Sequence, residues 1–297
     1  MPLLFCDPGF HDLNEVSPED RWRHEREGVG ILDGVLRDGV FESGFHAPFG
    51  GPDLDAPDPT LPEVQTLLES AVTALDEAGA HTQRVKARPS CYSPAEPVVQ
   101  YLLMHLGFAV EHCDVNQHLD LAPFGTVEDY AGSLKKKRAH ALRQDLRGPL
   151  GFREAQDDVD LAACHAVMAA NRAAHGRPPG LPLEYLQRAR VAFPGRIHPY
   201  LLTHEDEPIA AALVYDVLPD VDLLVAWGDH GHDLPRSPMN LLAYHLVDRA
   251  LARGARVLDL GPSSEKDGSP NPGLVHFKRS LGGVAGTRLV LVRSPRS

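Results

Sequence analysis

From Pro62 to His81 the apolar side chains of PEVQTLLESAVTALDEAGAH recur at helical spacing, and the run stops at a glycine. That pattern predicts an amphipathic helix ended by Gly79. After it, TQRVKA predicts a short strand, RPSCYSPAEP a loop and VVQYLLMHLGF a second helix. The same plan returns from Ser237. There SPMNLLAYHLVDRALARGAR predicts a helix with a glycine stop, VLDLG a strand, PSSEKDGSPNP a loop and GLVHFKRSLGG a helix. Gly79 and Gly107 lie 28 residues apart, and so do Gly254 and Gly282, so one offset of 175 aligns both landmarks without a gap. Helix, strand, loop and helix in one register predict a duplicated α/β unit.

Strand-like runs precede each copy. Before the second, IHPYLLTHE, EPIAAALVYDVL and VDLLVAWGD are separated by turn residues and predict three antiparallel strands. Before the first, VGILDGVLRDG and VFESGFHAPFGG have the same character. Two helices, DVDLAACHAVMAANRAAHG and PLEYLQRARVAF, come ahead of the second set of strands. The second copy thus reads strand, two helices, three antiparallel strands, helix, strand, helix, strand. VEDYAGSLKKKRAHALRQDLRG, between the copies, reads as a basic helix or linker. The expected division is a first domain over 1–125, a linker helix over 126–147 and a second domain over 148–297.

Composition narrows the classes. A chain of 297 residues with 43% hydrophobic and 24% charged residues can bury a core in each of two globular domains. A net charge of −12 argues against extended, non-specific nucleic-acid binding. One basic patch stands out against it: Lys135, Lys136, Lys137, Arg138, Arg143 and Arg147. Cys6, Cys91, Cys113 and Cys164 are scattered without a C-x-x-C pair, so reduced thiols are expected rather than zinc or a disulfide framework. The start, MPLLFCDPGFHDLNE, lacks a basic region and a long apolar core, and no run approaches the ~18–20 apolar residues of a membrane span. A cytoplasmic protein with no membrane partner is expected. In GDHGHD, the residues Asp229, His230, His232 and Asp233 cluster, yet i, i+2 spacing on a glycine loop fixes no coordination geometry, and no metal is expected.

The element order, twice over, resembles the GNAT acyltransferase fold in the tandem form of the FemAB/FemX peptidyltransferases. SLKKKRAHALRQDLRG is similar to that family's basic segment before the second domain. PIAAALVYDVLPDVDLLVAWGDH and SPMNLL resemble its antiparallel strands and following helix, and VLDLGPS with NPGLVHFKRSLGG its strand and GL-x-x-FK-x-x-LG ending. GFHAPFGG, which contains His46 and Phe49, resembles a first-domain motif of a bacterial FemAB-like subgroup. The resemblance implies an α/β (α+β) fold of two tandem GNAT-like domains, each a mixed, mostly antiparallel sheet flanked by helices. It implies an acyl- or aminoacyl-transferase that moves an activated acyl group to a small-molecule or peptide amine, with the first domain closing the cleft and binding acceptor. No tightly bound cofactor is implied, and the donor would be acetyl-CoA or aminoacyl-tRNA, which makes tRNA an implied partner. The sequence departs from the CoA-dependent pattern at one place. Where a glycine-rich turn would wrap pyrophosphate with backbone N–H groups, GDHGHDLPRSPMN has only Gly228 and Gly231, and has Pro235 and Pro238, which lack that donor. A catalytically silent ligand-binding protein, or an acetyltransferase with an atypical cofactor loop, therefore stands beside the transferase reading.

Several side chains could carry the chemistry. The repeat sets Leu103 against Lys278 and Leu102 against Phe277, so only the second copy carries the lysine. Placed on the first turns of a helix, a cation is disfavoured by ~0.3–1 kcal/mol, so Lys278 is either a solvated surface residue or a functional one. The resemblance implies the latter, an electrostatic stabiliser near the acyl centre. Asp259 stands in an otherwise apolar strand, where a carboxylate needs partners: neighbouring backbone N–H groups, or a site in which it takes up the amine proton. Ser263, Ser264, Lys266 and Asn271 form a loop after a strand's C-terminal end, where α/β proteins bind ligands, or a plain surface loop. Phe277, Trp227 and Tyr215 are core aromatics or the lining of a substrate pocket. Arg172 and Arg177 end a helix and could clamp phosphate or answer the helix dipole, and Arg138 could attract substrate phosphate.

Overall fold

A computed structural model describes residues 3–56, 59–230, 237–265 and 267–294. In chain order the elements are α1 Pro8–Leu13, β1 Arg21–Arg26, β2 Gly30–Arg37, β3 Val40–Ser43, β4 Asp53–Leu54, α2 Leu61–Glu77, β5 Thr82–Lys86, α3 Glu96–His105 and β6 Ala109–Asp120. Then follow α4 Val127–Ser133, α5 Lys136–Asp145, β7 Leu150–Glu154, α6 Asp158–Ala174, α7 Leu183–Ala192, β8 Ile197–His204, β9 Glu207–Leu218 and β10 Val221–Asp229. The last are α8 Met239–Ala252, β11 Val257–Pro262, α9 Pro272–Ser280 and β12 Val284–Arg293. Two compact units result. One comprises Met1–Asn116, Pro262–Asn271 and Ala285–Ser297, and the other Gln117–Gly261 and Pro272–Val284.

The duplication is present in the backbone. Moving β5, α3 and β6 forward by 175 residues starts them at 257, 271 and 284, within one residue of β11, α9 and β12. The stops agree in geometry too: φ is 79° at Gly79 and 78° at Gly254, and 92° at both Gly107 and Gly282. These are left-handed positions that a residue with a Cβ adopts only at a cost, so glycine ends each helix.

Each unit holds a mixed, mostly antiparallel arrangement flanked by helices. In the first, β1–β2 and β2–β3 pair antiparallel, β3–β5 parallel and β5–β12 antiparallel. Its core gathers Leu68, Leu75 and Val85 with Leu102 and Leu103 of α3. In the second, β7–β8, β8–β9 and β9–β10 pair antiparallel and β10–β11 parallel. Its core joins Tyr130 of α4 and Leu142 of α5 to Leu242 and Val247 of α8 and to Val214 and Leu258 of the strands.

The units do not follow contiguous stretches of 1–125, 126–147 and 148–297. Registers such as Val290↔Lys86 place β12 on β5 of the first unit, and α4 and α5 belong to the second. Sequence periodicity fixes that a segment is a strand but not which neighbour's backbone N–H and C=O groups will pair with it.

Candidate active site

Strands β10 and β11 run parallel for only three residue pairs, from Val221↔Val257 to Leu223↔Asp259. Beyond them β10 shifts register against β9 between Leu224 and Ala226, a bulge that bends the strand. Each strand continues past this short ladder, β10 to Asp229 and β11 to Pro262.

Lys278 and Asp259 meet at that end of β11. The Asp259 carboxylate, 1% exposed, accepts a hydrogen bond of 2.8 Å from the Gly261 N–H. The Lys278 ammonium donates to the Gly261 carbonyl at 2.9 Å. One glycine peptide position is thus held by an acid on its N–H and a lysine on its carbonyl. Lys278 is 2% exposed, among the largest fully buried side chains of the described residues. It is not a solvated surface lysine. Nor does it sit on the first turns of a helix: α9 begins at Pro272, so Lys278 falls in its last turn, where the helix dipole favours a cation. The short helix, only nine residues, makes the difference.

Four contacts hold α9 and the residue that follows it in this unit. The Tyr130 hydroxyl donates to the Leu281 carbonyl at 2.9 Å, and Gln117 Nε2 donates to the Val275 carbonyl at 3.3 Å. Phe277 packs at 5.5 Å on Trp227 of β10, and the Arg138 guanidinium lies 6.0 Å from the Phe277 ring. Arg138 also donates to the Asn240 side chain in the first turn of α8. His118 on β6 is half-buried, and burial lowers its pKa, opposed by the nearby Asp259. Tyr130, Gln117, Asn240 and His118 were not among the candidates. Each acts through a contact more than a hundred residues away in sequence, and no local pattern marks them.

Lys278, Asp259, Phe277, Trp227 and Arg138 are thereby gathered in the second unit, and other candidates are not. Tyr215 does not share a pocket with Trp227. Ala212 and Val214 of β9 face the core that Trp227 packs against, so by alternation Tyr215 points to the opposite face. There burial, and then the nearby Tyr185, push its phenol well above the ordinary value. Its hydroxyl has no hydrogen-bond partner among the described residues. Arg172 sits at the end of α6, with Nε donating to the Pro178 carbonyl at 2.6 Å.

Ser263 and Asn271 belong to the first unit. The Ser263 N–H donates to the Val115 carbonyl at 2.6 Å, and Asn271 donates from its N–H to Ser263 and from its side chain to Glu265. Lys266 lies outside the described residues. His46 and Phe49 also lie in the first unit. Phe49, 1% exposed, packs edge-on with Phe5 and Tyr92, and His46 is exposed against Phe45. The glycines of HAPFGG allow close backbone approach: a Cβ on Gly50 would meet the Gly44 nitrogen at 2.3 Å.

Of the basic patch, Lys135, Lys136, Lys137, Arg143 and Arg147 are exposed. Among the described residues no group of three or more histidine, cysteine or acidic side chains could hold a metal ion. Gly231, His232, Asp233 and Pro235 lie outside those residues, so the GDHGHD cluster and the cofactor-loop comparison are described only at their edges. There Gly228 packs against Asn171, whose side chain donates to the Asp229 carbonyl at 2.7 Å. No helix of the described residues is long and apolar enough to cross a membrane.

Lys278, Asp259, Phe277, Trp227 and Arg138 lie within the stretch matched by a known family. The model of the acetyltransferase (GNAT) domain matches residues 130–279, half of the chain. The chain belongs to this family, and it is an acyltransferase by that membership. Its fold is the tandem, FemX-like one. The crystal structure of FemX superposes with a TM-score of 0.71 over 96% of this chain and 91% of that one, at 11% identity. The C-terminal domain of a putative lysylphosphatidylglycerol synthetase from Agrobacterium fabrum gives 0.58 over 93% and 85%, at 15% identity. A tandem GNAT protein from the clavulanic acid biosynthesis pathway gives 0.52 over 100% and 98%, at 14%. No curated protein matches the chain significantly in sequence.

Proposed function

We propose that the second unit transfers an activated acyl or aminoacyl group to an amine, with Lys278 as the residue that stabilises developing negative charge. One observation carries this reading: a lysine with 2% exposure whose ammonium is held on Gly261, at the end of the strand that parts from β10. A buried charge destabilises a fold unless something offsets it, and a site that uses the charge accounts for its retention.

In the reaction the amine nitrogen attacks the acyl carbonyl carbon. A C–N bond forms, the bond to the leaving group breaks, and the amine proton passes to that leaving group, a thiol or a ribose hydroxyl. Negative charge grows on the carbonyl oxygen and the leaving group. A fixed ammonium in a place of low dielectric lowers the energy of that charge and needs no reorganisation as it forms. Asp259 acts through Gly261 as a positioning residue, since its carboxylate holds the N–H of the glycine whose carbonyl, in the next peptide group, holds Lys278. Phe277, Trp227 and Arg138 form the flank on which the donor would rest. The exposed cations from Lys135 to Arg147 support a donor rich in phosphate, either an acyl-CoA or an aminoacyl-tRNA. A lysylphosphatidylglycerol synthetase domain among the similar folds fits the aminoacyl form, and the family description fits the acetyl form.

The test is a transfer assay on the full chain with acetyl-CoA or a mixed aminoacyl-tRNA pool as donor, and amino acids and short peptides as acceptors. Lys278→Ala is expected to fold and to lose about 10²–10³ in rate. A folded Lys278→Ala protein with the wild-type rate would overturn the role, and no transfer from either donor would overturn the function.

A further inference from the structure

A cavity of about 270 Å³ opens in the second unit where α6 and α7 cover the sheet, on the face to which Tyr215 points. Leu213 of β9 and Val225 and Ala226 of β10 form its floor, with Met168 and Leu186 at its sides. The floor is the bulged stretch of β10 just before Trp227. Two polar side chains reach the cavity, His165 and Arg172. His165 Nε2 lies 3.1 Å from the Leu181 carbonyl, to which a ring nitrogen can only donate. Arg172 donates one N–H, from Nε, to Pro178, and among the described residues no carboxylate lies within ion-pairing distance of it. Among the described residues, the charged group of this apolar cavity is therefore a cation without a counter-ion, in a protein of net charge −12.

Such a site suits an anion. Arg172 is half-buried at the edge of apolar walls, and a planar guanidinium fork matches a carboxylate in two parallel hydrogen bonds. The volume lies below the ~300–1,000 Å³ of sites for drug-sized ligands, which limits the occupant to about the size of an amino acid. Among the described residues no acidic side chain lines the cavity, so none of them answers an ammonium tail.

We propose that this cavity binds the amine acceptor, and that the acceptor is a small apolar carboxylate, an α-amino acid with a branched aliphatic side chain. Its carboxylate lies on Arg172 and its side chain between Met168, Leu186 and Leu213. The identification of the bound molecule as acceptor rests on the acyl-transfer reading. Its binding rests on the cavity alone.

Isothermal titration of the full chain with leucine, N-acetylleucine, leucinamide and lysine tests this. Leucine and N-acetylleucine are expected to bind, and leucinamide and lysine at least about tenfold more weakly. Arg172→Gln is expected to weaken leucine binding by about tenfold or more, and Arg172→Lys by less. Ala169→Leu fills the cavity from a half-buried position on α6. It should abolish leucine binding with the melting temperature unchanged. Leucinamide or lysine binding as tightly as leucine, Arg172→Gln binding at wild-type strength, or no binding of any of the four at millimolar concentration would each overturn the cavity assignment. Leucine that binds but receives no acyl group, in a protein active on other amines, overturns its place as acceptor. A protein inactive on every amine leaves the cavity standing and removes the acyl-transfer reading instead.

Discussion

Helices α3 and α9 hold the same place in the two units, yet one turns a leucine inward where the other turns a lysine. Leu103 is fully buried in an apolar cluster. Lys278, its counterpart by the offset of 175, is 2% exposed and holds a backbone carbonyl. The preceding strands differ in the same sense. Arg84, opposite Asp259 in the repeat, lies at the surface between Glu42 and Glu111. Asp259 is buried and holds a backbone N–H. At these two positions one scaffold has thus been completed twice, once with a leucine inside and an arginine at the surface and once with an acid and a base inside. Packing alone accounts for Leu103 in the first unit. The second keeps buried charge that apolar residues could replace without loss of stability, and that points to use.

Exchanging the two positions breaks the comparison most severely. Leu103→Lys places a charge in a core that has no carbonyl prepared for it, and is expected to cost about 3–5 kcal/mol, read as a lower denaturation midpoint. A stability within 0.5 kcal/mol or so of wild type would mean that the α3 position can accept a lysine as the α9 position does. The reverse change, Lys278→Leu, should leave stability unchanged or raised, because an apolar residue of similar volume replaces a buried charge. Its rate should fall by about 10²–10³. A destabilised but fully active Lys278→Leu protein would make the lysine a structural device.

The duplication and most elements are legible in the sequence because periodicity and glycine stops are local. Gly79 and Gly254 mark helix ends wherever the helices pack. β1, RWRHER, escaped that reading because an exposed edge strand shows no apolar alternation. The basic linker became two helices, since Thr126 opens a capping box with Asp129 and starts α4 separately. Lys278 and Asp259 were visible as charges in apolar runs. That they share Gly261 was not, because a bond between Lys278 and Gly261 spans 17 residues and a loop. The exchange of β12 lay further out of reach, since the pairing partner of a strand is a tertiary choice.

The two units also titrate differently. In the first, burial raises the Glu96 carboxyl from 4.5 to about 7, against the pull of Arg88. In the second, burial works against a charged His198, but the hydrogen bonds its ring donates to Asp216 and Glu154 outweigh it and raise the ring from 6.5 to about 9. Both folded values lie above the unfolded ones, so each contribution is complete at low pH and is lost as pH rises. Glu96 loses its share between about 4.5 and 7, and His198 between about 6.5 and 9. Each is worth on the order of 1–3 kcal/mol. Unfolding at pH 5, 7 and 9 should weaken in two stages, with Glu96→Gln flattening the first and His198→Gln the second. A single stage, or a stability that rises with pH over this range, would sink the contrast.

The finest test separates the two parts that Asp259 can play. Asparagine keeps an oxygen where the carboxylate accepts from the Gly261 N–H, so Asp259→Asn preserves the turn that presents Lys278. As a positioning residue Asp259 should therefore tolerate asparagine, with a rate within about threefold of wild type and an unshifted pH profile. Asp259→Ala removes the acceptor and leaves the glycine unheld, which costs about one hydrogen bond, or roughly tenfold. If asparagine costs as much as alanine and removes the acidic limb of the pH profile, Asp259 takes the amine proton itself. The second unit would then use both Lys278 and Asp259 in the chemistry, where the first unit has Leu103 and Arg84 in their places.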